Sequence, residues 1–160
     1  MADPIIEQIT LKIVELLEGI TIANGFRQDL TIKRPKRIHL ESDLAADNTV
    51  MVQQDASERM ADDQDSEDIY WKQTFALDVY LIDSDDATTS LDIRINNVRS
   101  DIEKKLCAAA NIYLGGLAEI IYPEGSERFN AFGDSASFAG ITLNYSVQYK
   151  TAFGDPDTQN

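Results

Sequence analysis

The residues able to do chemistry are few and scattered along this chain. It holds one histidine, His39, and one cysteine, Cys107, in 160 residues. Gly133-Asp134-Ser135 puts a serine in a turn, and a serine nucleophile needs a base within hydrogen-bond reach. His39 lies far back in the chain and alternates with Ile38 and Leu40, as an ordinary strand residue would. The plain reading of Ser135 is a polar turn ahead of the last strand. Asp83, Asp85 and Asp86 could hold a hard cation through their carboxylates, but the glycine and distant glutamate of a calcium loop are absent. Aspartates also suit the place where a strand stops and a helix starts. Cys107 has a polar flank and no histidine beside it, and reads as a surface or interface thiol. The expectation is no catalytic, metal-binding or cofactor-binding constellation, and no enzyme.

The charged segments are more informative. Lys33-Arg34-Pro35-Lys36-Arg37 is the one basic cluster. It is either a solvated strand edge, where cations discourage edge-to-edge aggregation, or a patch that meets acidic surface on a neighbouring subunit; DNA contact is a third use. Asp55 to Asp68 carries Asp55, Glu58, Asp62, Asp63, Asp65, Glu67 and Asp68 against a single base, Arg59. With little apolar anchorage it is expected to be a mobile acidic loop, and it offers the basic cluster a partner between copies. The formal net charge of −14 argues against nonspecific nucleic-acid binding, because phosphates are repelled. It leaves room for DNA as something the protein must let pass.

Elements must position these residues. An apolar fraction of 43% supports a real core, and the length suggests a single domain over 1–160. One cysteine excludes an internal disulfide. The start, Met1-Ala2-Asp3-Pro4, lacks the basic and apolar regions of a signal peptide, and no apolar run reaches the ~20 residues of a membrane span. A reducing cytoplasm is therefore the expected place of synthesis. Asp3-Pro4 starts a helix with Ile6, Ile9, Ile13, Leu16, Leu17 and Ile20 on one stripe, and Asn24-Gly25 stops it. Leu11 falls on the opposite side, as an ordinary exposed leucine or as part of a subunit contact. Strands are expected over Leu30–Arg34 and Thr49–Gln53, then a central strand with Phe75, Leu77, Val79 and Leu81 on one face. Trp71, Tyr70 and Tyr80 cluster around it.

A second helix from about Ser90 to Asn111 carries Leu91, Ile95, Val98, Ile102, Leu106 and Ala109. Ala118–Tyr122 reads as a strand stopped by Pro123. The last strand, Ala139–Lys150, alternates Ile141, Leu143, Tyr145, Val147 and Tyr149 with polar residues. The tail from Gly154 to Asn160 is expected to fray. The fold class is α+β: a mostly antiparallel sheet of about four to five strands, with two amphipathic helices packed on one face.

In this order the elements resemble a known family. Ile9-x-x-x-Ile13-x-x-Leu16 on a first helix precedes a strand ending in a basic-proline element, Ile32 to Pro35. A long variable loop, a Phe-x-Leu-x-Val-x-Leu strand at Phe75–Leu81, a helix with Ile95, Val98, Ile102 and Leu106, and the closing strand Ile141–Tyr149 follow. Over roughly Pro4 to Lys150 the chain resembles the tail terminator (minor tail protein U-like) and related tail-completion proteins of long-tailed bacteriophages. The resemblance implies a virion protein made in the bacterial cytoplasm. It would form a closed homohexameric ring at the head-proximal end of the tail tube, where it stops tube polymerisation and meets a neck or head-completion protein. DNA would pass through the lumen without specific binding, and no membrane or cofactor is involved. A ring contact joins unlike patches; the candidate interface residues are Lys33, Arg34, Lys36, Arg37, Asp62, Asp63, Asp65 and Leu11. The competing readings are a head–tail connector or neck protein nearer the head, a small cytosolic ligand-binding module, and a small hydrolase using Ser135 or the Asp83–Asp86 carboxylates.

Overall fold

The computed structural model describes residues 2–35, 48–60, 67–83, 88–132 and 137–159. Two helices, α1 (Ile5–Glu18) and α2 (Leu91–Leu106), accompany five strands: β1 (Thr31–Lys33), β2 (Thr49–Arg59), β3 (Asp68–Asp83), β4 (Ile120–Phe132) and β5 (Ser137–Ala152). The strands form one sheet in the order β1-β2-β3-β5-β4. Only the β1–β2 pair is parallel; the other neighbours are antiparallel. This is the α+β architecture expected from the patterning, and no helix among the described residues is long and apolar enough to cross a membrane.

One face of the sheet is apolar because alternate residues of the two longest paired strands are apolar. Phe75, Leu77, Val79 and Leu81 of β3 and Leu143, Tyr145 and Val147 of β5 are buried there. They form one core with the helical stripes: Ile9, Ile13 and Leu17 from α1, and Val98, Ile102 and Leu106 from α2. Burial of this kind is non-directional, and each such side chain contributes about 1.5–3 kcal/mol relative to exposure. The spacing of the stripes therefore dictates which way each element faces.

The helix ends differ from expectation. α1 stops at Glu18, and the Gly19 N–H closes onto Glu15 and Leu16 carbonyls. Asn24-Gly25 instead ends a short 3-10 turn at Ile22–Asn24, with Gly25 at φ 87° where only glycine is at ease. α2 stops at Leu106 rather than Asn111, and the Asn111 side-chain amide caps its end by donating to the Lys105 carbonyl (2.7 Å). Ala109 therefore lies beyond the helix and is exposed.

Three further expectations are corrected. The acidic stretch at 55–68 is not a loop throughout. Residues 55–59 continue β2, where Ser57, Glu58 and Arg59 pair with Gln73, Lys72 and Trp71. A bulge between Gln54 and Ser57 accommodates one extra residue, and the buried Gln73 amide donates to the Asp55 (3.0 Å) and Ala56 (3.2 Å) carbonyls. Main-chain pairing, not apolar anchorage, orders this segment. Pro123 does not stop β4. It sits at a bulge on an edge strand, where a missing N–H costs no ladder bond.

The tail is tied down as well. The Ala152 N–H donates to the Thr158 carbonyl (2.9 Å) and the Ile5 N–H to the Pro156 carbonyl (3.0 Å). The Gln159 amide reaches the Leu117 (2.7 Å) and Lys150 (3.1 Å) carbonyls.

Candidate functional site

The outward face of the sheet is built by the residues that alternate with the core. At its centre, both carboxylate oxygens of Asp78 accept hydrogen bonds, one from the Gln53 amide of β2 (2.8 Å) and one from the Thr142 hydroxyl of β5 (2.6 Å). Further along, Lys72 bridges Glu124 (2.5 Å) and Glu58 (3.8 Å), and Lys150 pairs with Asp68 (3.2 Å). The Lys72 hydrogen bond holds the Glu124 carboxyl below its ordinary range, and Glu124 in turn raises the Lys72 ammonium. The Thr74 and Ser146 hydroxyls lie 3.3 Å apart. The result is a polar surface whose groups are largely satisfied within the sheet, and so fixed in position before any partner arrives.

At the other end of that face Tyr80 stacks edge-on against Phe129, ring centroids 5.0 Å apart at 66°. Tyr80 and Phe129 are both register partners of Gly140 on the intervening strand. A methyl at Gly140 would overlap the Phe129 ring and the Val79 carbonyl oxygen. Glycine here lets an edge-strand ring lie over the sheet. Burial, then the Asp78 charge, pushes the Tyr80 hydroxyl up to about 12. It therefore stays neutral at physiological pH.

Of the sequence-singled residues, Leu11 stands on the outward side of α1 and is 48% exposed. Arg34 is engaged within its own chain. Its guanidinium grips both Glu7 oxygens, one contact at 2.7 Å, and holds the Glu7 carboxyl below its ordinary range. This fork ties the basic-proline element to the first turn of α1, where a carboxylate also suits the helix dipole. Lys33 ends β1 and also has a partner. Lys36, Arg37, Asp62, Asp63 and Asp65 lie outside the described residues, as do His39, Asp85, Asp86, Ser135 and the side chain of Asp83. The described residues thus place Arg34 against Glu7 of its own chain.

Cys107 follows the end of α2, and burial, reinforced by Glu103, pushes its thiol up. A protonated thiol is a poor nucleophile. Among the described residues no three His, Cys, Asp or Glu side chains gather at metal-ligand spacing. The buried Asp101, 2% exposed, binds the Arg27 guanidinium (2.9 Å) and main-chain N–H (3.1 Å). That cluster pins the turn after α1 onto α2.

The sheet ends are unlike. One is the three-residue β1, which among the described residues pairs with the Thr49–Met51 start of β2. The other is the 13-residue β4. In comparison with known proteins, the chain matches no family model, and no curated protein is significantly similar to it.

Proposed function

We propose that this chain is a structural virion protein of a long-tailed bacteriophage. In this reading it forms a closed ring at the head-proximal end of the tail tube, ends tube polymerisation and joins the tail to the neck while DNA passes through. The observation that carries the reading is a sheet with one face sealed by two helices, one prearranged polar face and two unlike ends. Unlike ends suit head-to-tail contacts, in which one patch meets a different patch on the next copy, and such contacts form a ring when the rotation between copies closes. The order of elements required by the resemblance, from the first helix through the Phe75–Leu81 strand to the closing strand, also supports it. The net charge of −14 is consistent with a passage that does not hold phosphate.

The test adds the protein to its tail tube subunit during polymerisation. Shorter tubes capped at one end are expected, and labelled protein should sit only at that end. Unchanged tube lengths and no end label would overturn the terminator reading. Co-purification with a neck protein instead would move the chain one layer nearer the head.

A further inference from the structure

A cavity of about 340 Å³ opens at the end of the sheet where the chain termini meet. Its walls come from separate parts of the chain: Ile6 at the start of α1, Ile69 and Trp71 on β3, Tyr149 and Thr151 on β5, and Asp155 in the C-terminal strap. Trp71 and Tyr149 are direct register partners across the β3–β5 ladder, which sets two aromatic side chains side by side. The Trp71 indole N–H donates to the Thr151 hydroxyl (3.2 Å), fixing the ring. One Asp155 oxygen accepts the Asp157 N–H (3.1 Å), which orients its carboxylate. The strap is held by the Ala152–Thr158 and Ile5–Pro156 main-chain bonds, so the walls are preformed.

The size is at the small end of ligand pockets, which run from about 300 to 1,000 Å³. A partly exposed indole backed by the nearly buried Tyr149, with Asp155 in the same lining, attracts flat cations through ring quadrupole and charge. The chain's overall charge of −14 draws cations and repels anions at longer range. Among the described residues, a larger groove of about 600 Å³ is lined by α2 and the turn after it, including Asn96, Arg99, Glu103 and Cys107, with no aromatic ring.

We infer that the cavity of Trp71, Tyr149 and Asp155 is a binding site for one flat organic cation, an amidinium or guanidinium group on a short stem. A free small molecule and an arginine side chain of a partner protein share this chemistry. The inference does not depend on the virion reading.

Trp71 is the chain's one tryptophan, so a single indole N–H resonance reports on the cavity. The experiment follows that resonance in ¹⁵N-labelled protein titrated with benzamidinium, its neutral isostere benzamide and its anionic isostere benzoate, and with N-acetylarginine amide. Benzamidinium is expected to shift the Trp71 signal saturably, benzamide more weakly and benzoate least. Asp155→Asn, which keeps size and shape, should weaken benzamidinium about five-fold and leave benzamide unchanged, the scale of one solvent-accessible charge contact. Tighter binding of N-acetylarginine amide than of benzamidinium would assign the site to a partner's arginine; the reverse order would assign it to a free molecule. No saturable shift with either cation, or benzoate binding as well as benzamidinium, would overturn the inference. So would an Asp155→Asn protein, folded by its own spectrum, that binds benzamidinium unchanged.

Discussion

Alternate residues of β3 and β5 build two surfaces that hold together by different physics. Toward the helices, Phe75, Leu77, Val79, Leu143 and Val147 are buried in an apolar core. Toward the outside, Asp78 with Thr142 and Lys150 with Asp68 bond across neighbouring strands, and Lys72 reaches over β5 to Glu124 of β4. Burial is tolerant of shape as long as volume is kept, whereas a satisfied polar array fixes the position of each group. The inner face therefore supplies most of the stability, and the outer face offers a preset pattern that a neighbouring protein could match. A prearranged surface lowers the ordering cost of association.

This contrast can be broken from either side. Phe75→Ala removes a fully buried ring from the inner face and should destabilise by about 3–5 kcal/mol, read as a large fall in the denaturation midpoint. Gly140→Ala should cost about 1–3 kcal/mol by overpacking, since the new methyl meets Phe129 and the Val79 carbonyl. Adding Phe129→Ala should recover part of that loss, because only the main-chain clash then remains; a neutral Gly140→Ala would contradict the close approach. Asp78→Ala strips the acceptor from Gln53 and Thr142, at about 1 kcal/mol for part-buried bonds. The same variant should disturb association more than it disturbs folding.

The smallest effect belongs to the Glu7–Arg34 fork. Both side chains reach solvent, 31% and 38% exposed, so Glu7→Gln should cost no more than about 0.5 kcal/mol at neutral pH. The Glu7 carboxyl titrates below its ordinary 4.5 in the folded chain. Its stabilisation is therefore complete above that value and is lost as pH falls through the folded value. The unmodified protein should lose slightly more stability than Glu7→Gln between about pH 5 and 3, measured by urea unfolding at each pH.

What was legible in the sequence follows the same division. Ile9, Ile13 and Leu17, the Phe75–Leu81 alternation and the Ile141–Tyr149 alternation announce their faces, because burial imposes a period. The far half of β2, the run of β4 past Pro123 and the docked tail leave no such period. They are held by main-chain ladders and by single side chains such as Gln73 and Gln159. The exposure of Leu11 could be read from its place opposite the stripe. Glu7 as the partner of Arg34 could not, and neither could the cavity, whose walls at Ile6, Trp71, Tyr149 and Asp155 meet only after folding. A lone tryptophan beginning an alternating strand was the one available signal for it.

The most direct test of an assembly role is negative-stain electron microscopy of the purified protein across a concentration series. Closed rings of uniform diameter with a central hole are the predicted result, and their abundance should rise with concentration and fall in Asp78→Ala. Featureless monomers at every concentration, and again with tail tube ends present, would contradict the account.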